Sequence, residues 1–214
     1  MNPSMLRGVI AAACLAVAGA AQADVTLHDD FNAENGGVGA AEYSGFANWT
    51  AANVDLLAPG YFFNLCQAAG GSTPCVDMEG SGNGSLTTQT AFNVFTGNTV
   101  TMQFDLAGDQ RGRSGNGVLV TLVTTTGTTL FSETFSLPSN APFQTFSRAV
   151  NIGADAQVRL GFLSTGPADS MGMLLDNVSF TAGVAAPVPE PSSYALLLAG
   201  LGALACAARR RRAG

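Results

Sequence analysis

From Thr99 to Leu106 the side chains alternate without a break. Val100, Met102, Phe104 and Leu106 are apolar, and Thr99, Thr101, Gln103 and Asp105 between them are polar. A period of two puts the sets on opposite faces of an extended strand, one toward a core and one toward solvent. Such a strand suits an antiparallel sheet with one covered face. Residues 117–124 read as a more buried strand. Residues 86–94 alternate as Leu86, Thr88, Thr90, Phe92 and Val94 before a turn at Thr96-Gly97-Asn98. Further strands are expected at residues 25–31, 60–65, 128–137, 143–152, 156–163 and 173–181. Turns are marked at Gly36-Gly37, Ala58-Pro59-Gly60, Pro138-Ser139-Asn140 and Gly166-Pro167-Ala168-Asp169. Apart from a turn near residues 33–41, no helical periodicity interrupts them. About nine short strands with a turn every ten residues or so predict an all-β fold, a β-sandwich of jelly-roll type.

Both ends are built differently. Arg7 precedes apolar and small residues from Val9 to Ala20, and Ala21-Gln22-Ala23 fits a signal-peptidase site. Residues 1–23 are expected to be a signal peptide, with Asp24 the first mature residue. Cys14 has Ala11 three positions before it, where a lipobox wants leucine, so ordinary cleavage is favoured over lipidation. At the other end, Pro187-Val188-Pro189-Glu190-Pro191 precedes a charge-free run, 194–208, and then Arg209, Arg210, Arg211 and Arg212. Counted from Pro191 the uncharged run is 18 residues. As a helix it would be ~27 Å long, close to the ~30 Å hydrocarbon core of a bilayer. The arginines should stay cytoplasmic as a stop-transfer tail, leaving the body outside. The expected organisation is a signal peptide at 1–23, a sandwich at 24–182, a linker with the proline motif at 183–193, a transmembrane helix at 194–208 and a basic tail at 209–214.

The body is acidic. Fourteen of the fifteen Asp and Glu residues face only Arg111, Arg113, Arg148 and Arg159, and lysine is missing from the chain. That balance disfavours nucleic acid as a partner. Outside the end segments the cysteines are Cys66 and Cys75, which bracket a Gly- and Ser-containing loop. In an exported chain they are expected to form a disulfide. Two cysteines and a distant His28 do not make a zinc site.

The order of a short Pro-Glu-Pro motif, an apolar helix and an arginine tail resembles the PEP-CTERM sorting signal of Gram-negative bacteria. In the body, Val76-Asp77-Met78-Glu79-Gly80, the stretches 84–90 and 101–112, and Leu174-Leu175-Asp176-Asn177-Val178-Ser179-Phe180 are similar to exported cargo of that class. More remotely, they are similar to plant cell-wall proteins of galactose-binding-like fold. The resemblance implies that Val188, Pro189, Glu190 and Pro191 are recognised by an exosortase-type transpeptidase. Anchoring would then be transient, and the destination the cell surface or matrix. Galactose-binding-like sandwiches often carry a structural calcium joining their first and last strands.

Two places could carry chemistry. On simple alternation Asp176 shares a face with Leu174, Val178 and Phe180, and a buried carboxylate needs a partner. One reading is a calcium site formed with Asp77, Glu79 and Asp30. The other is that Asp176 and Asn177 form a bulge or cap a turn. The second place is the loop at 107–117, where Asp109, Gln110 and Arg111 suit sugar hydroxyls or uronates. The plainer alternative is a loop whose Arg111 pairs with a nearby acid. Trp49, Tyr43, Tyr61 and Phe62 could offer a stacking platform, although a lone Trp is as often core. Catalytic triads would have to run through His28, and no spacing marks a glycosidase carboxylate pair. The expected role is therefore non-enzymatic: an exported surface or matrix protein that binds exopolysaccharide. Alternatives are a structural matrix protein without a ligand, a carbohydrate-active enzyme, and an ice-binding protein built on the threonine-rich strands.

Overall fold

Six strands make the first sheet: β1 (Val25–Asp29), β3 (Asp55–Leu57), β4 (Cys75–Asp77), β7 (Thr99–Ala107), β10 (Gln144–Asn151) and β12 (Leu174–Ala182). The second contains β2 (Trp49–Ala52), β5 (Ser85–Thr88), β6 (Phe92–Val94), β8 (Val118–Thr124), β9 (Thr129–Phe135) and β11 (Ala156–Ser164). The computed structural model describes residues 25–61, 64–71, 74–182, 198–201 and 209. Residues 23–185 form one compact unit, an all-β sandwich. The expected signal peptide, the Pro-Glu-Pro motif, Arg210–Arg212 and most of the apolar C-terminal run lie outside the described residues. Residues 198–201 are helical, with Leu198 and Leu201 exposed. No helix among the described residues is long and apolar enough to cross a membrane.

The two sheets share a construction. In the first, β12 pairs with β7 along one edge; β4 (at Leu174–Leu175) and β1 (at Val178–Ala182) divide the other. In the second, β11 pairs with β8 along one edge, while β5 and β6 divide the other. This explains why residues 86–94 alternate as one strand yet form two. Leu86–Thr87 lies against Gly161–Phe162, and Phe92–Val94 against Ala156–Val158.

Alternation builds the core. Val100, Met102, Phe104 and Leu106 of β7 are fully buried, and so are Val118, Val120 and Leu122 of β8. Aromatic rings join the layers. Phe104 meets Phe162 of β11 at 5.4 Å and Phe135 of β9 at 5.2 Å, both edge-on. Trp49 meets Phe162 at 5.8 Å. Such contacts add about 0.5–1.5 kcal/mol each beyond burial. Trp49 is core, not a surface platform, and its indole N–H donates to Asp29 Oδ2 at 2.9 Å.

Some expectations are corrected. Among the described residues of 60–65 there is no strand: Gly60 has φ +79°, Asn64 φ +54°, and Leu65 begins a short helix, α1 (Leu65–Ala68). The turn near residues 33–41 is a 3-10 turn at Glu34–Gly37. On β12 simple alternation fails, because a bulge lies between Asp176 and Ser179 with Asn177 at φ +48°. Leu175, Val178 and Phe180 join the main core, whereas Leu174 packs with Leu57, Cys66, Cys75 and Ala107 on the other side of the sheet. Asp176 therefore does not share a face with Val178 and Phe180. Its Oδ1 accepts the Asn177 N–H at 2.8 Å.

Cys66 and Cys75 form a disulfide, closing α1 and the following loop onto β4. Closing so short a loop restricts the unfolded chain by about 2–3 kcal/mol. Replacing both cysteines by serine should lower unfolding free energy by about that amount, measured by urea denaturation of the oxidised protein and the variant.

Candidate functional site

Because β4 and β7 flank β12, the three stretches 76–80, 101–112 and 174–180 meet. At their junction Asp77 is 1% exposed. Its Oδ2 accepts from Arg111 Nη2 at 2.6 Å, and its Oδ1 accepts the N–H groups of Glu79 and Gly172, each at 3.0 Å. Arg111 also donates to the carbonyls of Ser170 (3.1 Å) and Asp109 (3.2 Å). One guanidinium thus ties together the end of β4, the β7–β8 loop and the β11–β12 loop.

Asp109, also 1% exposed, organises the β7–β8 loop from within. Its Oδ1 accepts the Arg111 N–H at 2.5 Å and the Ser139 hydroxyl at 2.7 Å, and its Oδ2 accepts from Asn116 Nδ2 at 3.1 Å. Gln110 sits at φ +59°, and its Nε2 donates to the carbonyls of Ala141 (2.7 Å) and Gly108 (3.2 Å). All three side chains predicted to meet a ligand are engaged by the chain itself, in the manner of the plainer reading of that loop.

The four predicted metal-binding acids are distributed. Asp77 and Glu79 are neighbours at the junction, Asp176 is on the β12 bulge, and Asp30 follows β1 and accepts the Asn32 N–H at 3.1 Å. Among the described residues no three His, Cys, Asp or Glu side chains are close enough together to hold a metal. Burial raises the Asp77 carboxyl to about 7, with Arg111 opposing. Burial also raises Asp55, which pairs with Asp77 in the β3–β4 register, and Glu34.

A second surface is open. The outward residues of the second sheet line up across five strands: Thr50 opposite Thr87, Thr87 opposite Gly161, Gly161 opposite Thr121, and Thr121 opposite Ser132. Hydroxyls thus run across the sheet, interrupted at its centre by a glycine. Beside this row lies a hollow of about 500 Å³, lined by Thr87, Thr121, Val123, Arg159 and Gly161 among others. Arg159 is anchored at the rim, its Nη1 donating to the carbonyls of Thr88 and Gln89. In the adjacent row Leu163 lies opposite Leu119 and Ser85. Sequence reasoning missed Thr87, Thr121, Arg159 and Gly161 as a group. The usable signal was Gly161, occupying an outward position of β11 between the buried Leu160 and Phe162.

Two outcomes test the junction. Arg111→Ala removes the hydrogen bonds that the guanidinium makes to Asp77, Asp109 and Ser170 and leaves Asp77 to take up a proton; it should lower stability by about 1–3 kcal/mol, read from urea denaturation at pH 7. The Asp77 carboxyl is raised in the folded state, so the folded chain binds more protons than the unfolded one between its ordinary value and about 7. Stability should rise, by roughly 2 kcal/mol, as pH falls from 7.5 to 5 in chelator-containing buffer. Thermal melting across that range should show most of this slope lost in Asp77→Asn.

No curated protein matches the chain. Among solved structures the fold is similar to the C-terminal CBM6 of LamC, a marine laminarinase from Zobellia galactanivorans, at 14% identity over 73% of this chain and 99% of that one (TM-score 0.44). It is similar to the CBM22-1 xylan-binding domain of Xyn10C from Paenibacillus barcinonensis, at 16% identity over 78% and 100% (TM-score 0.42). A third is the K3 cleaved adhesin domain of Lys-gingipain from Porphyromonas gingivalis, at 19% identity over 75% and 100% (TM-score 0.46). Residues 187–212 match the PEP-CTERM protein-sorting motif, and the chain thereby carries a signal for export and exosortase-dependent sorting to the cell surface.

Proposed function

We propose that this protein is a non-catalytic surface or matrix component that binds exopolysaccharide through the outer face of the second sheet. The observation that carries the reading is the row Thr50, Thr87, Gly161, Thr121 and Ser132. Hydroxyls on a rigid sheet offer donors and acceptors to sugar hydroxyls at little entropic cost. The hollow lined by Thr87, Thr121, Val123 and Arg159 is large enough for part of a sugar ring, and Leu163, 42% exposed, gives an apolar contact in the next row. Anchored at the rim, Arg159 suits an acidic substituent on an otherwise acidic body.

The sorting motif supports the following reading of how the ends are handled. Residues 1–23 are removed by signal peptidase, and the apolar run at 194–208 holds the chain in the membrane with Arg209–Arg212 inside. An exosortase-type transpeptidase then acts at Val188, Pro189, Glu190 and Pro191. The prolines restrict the backbone to an extended path, which suits presentation in a protease cleft. Mass spectrometry of the extracellular protein should find a C-terminus before the arginines; an intact Arg209–Arg212 tail there contradicts processing.

Retention on immobilised acidic and neutral bacterial polysaccharides tests binding. Gly161→Val brings a Cβ to 2.9 Å from Thr121 Oγ1, so it displaces that hydroxyl as well as narrowing the hollow. It should weaken retention about tenfold or more, a loss of ~1.4 kcal/mol, with an unchanged circular-dichroism spectrum. Equal retention of Gly161→Val and the parent protein moves the site elsewhere. No retention on any glycan favours a structural matrix protein without a ligand.

A further inference from the structure

Three buried side-chain oxygens among the described residues accept no hydrogen bond: Glu79 Oε2, Asn116 Oδ1 and Asp169 Oδ1. They belong to three loops at the same end of the sandwich, following β4, preceding β8 and joining β11 to β12. Glu79 is 0% exposed and Asn116 4%. A buried acceptor without a donor costs about 1–3 kcal/mol, more when charged, so two such groups together call for an explanation.

Their orientations are held by their other atoms. The Ser164 hydroxyl donates to Glu79 Oε1 at 2.6 Å. Asn116 Nδ2 donates to Asp109 Oδ2 at 3.1 Å and to the Met171 carbonyl at 2.5 Å. Turning the amide over would set its oxygen against two acceptors, so Oδ1 is the atom left facing inward. Carboxylate and amide also share one space. A Cβ on Gly166 would sit 2.4 Å from Glu79 Oε1 and 2.6 Å from Asn116 Oδ1. Asp169 lies two residues before Met171, whose carbonyl accepts from Asn116, and Arg113 Nε is 3.5 Å from Asp169 Oδ2 and 3.2 Å from Met171 Sδ.

Charge at this end is unbalanced. Asp55, Asp77, Glu79 and Asp109 are all buried, and Arg111 brings one positive charge to them. We propose that Glu79 and Asn116 hold a calcium-class divalent cation, with Asp169 as a further oxygen donor on the β11–β12 loop. The unpartnered atoms are all hard oxygens, with no imidazole or thiolate among them, which suits calcium and not zinc or copper. This site differs from one joining the first and last strands. There, the Asp29 carboxylate already accepts from the Phe31 N–H, Asn48 Nδ2 and Trp49 Nε1. A cation between Glu79 and Asn116 pins the three loops to one another and neutralises part of the buried charge. A trapped water would satisfy the same atoms without any response to calcium.

The test is calorimetric melting of the full-length chain in mild detergent, with 1 mM calcium and with excess chelator. Calcium should raise the midpoint by about 5 °C or more, and isothermal titration should give one site per chain. Glu79→Gln and Asn116→Ala should each remove most of the calcium-dependent rise. Should either variant fail to fold, the other and the parent titration decide. Equal midpoints with calcium and chelator overturn the proposal, as does an undiminished calcium response in the folded variants.

Discussion

One buried ion pair sets the conditions for the rest of the molecule. Asp77 lies at the end of a three-residue strand, and Arg111 reaches it from a loop that has no regular structure of its own. Without the guanidinium a carboxylate would be buried against Asp55 with only backbone donors to hold it. With it, the short strands β3 and β4 acquire a fixed end, and the β7–β8 and β11–β12 loops acquire a common anchor. Burial still wins over the ion pair in its effect on the Asp77 carboxyl, so the junction is held together under electrostatic tension. That tension makes it responsive to pH and to any additional positive charge.

Charge and hydroxyls are sorted to different parts of the sandwich. At the junction, Arg111, Asp109 and Gln110 spend their hydrogen bonds on the chain itself. On the outer face of the second sheet, threonines and a serine line up in register across five strands with few intramolecular obligations. A closed end and a hydroxylated face are compatible with a body that is sorted to the cell surface. Export places the Cys66–Cys75 disulfide in an oxidising setting where such a bond persists.

Much of the fold could be read from alternation, because β7, β8 and β9 to β12 are long enough for a period of two to declare itself. The short strands β2, β3 and β4 could not: three or four residues carry no period, and β4 owes its place to the disulfide and to Asp77. Asp176 misled for a definite reason. One residue in the left-handed region, Asn177, reverses the facing of everything after it, and Asn is a residue that tolerates that conformation. The loop containing Arg111 was visible as a concentration of polar groups, but a sequence does not tell whether such groups point outward to a ligand or inward to the chain. The hydroxyl row was hidden for the opposite reason. Thr50, Thr87, Thr121 and Ser132 are far apart in sequence, and only strand register aligns them.

In the proposed function, ligand binding belongs to the open sheet face and not to the arginine loop. Amide chemical-shift mapping during titration with an exopolysaccharide tests it most directly. Shifts should be concentrated at Thr87, Thr121, Arg159 and Gly161, with residues 108–113 unmoved. Shifts concentrated at residues 108–113, with the sheet face silent, would contradict it.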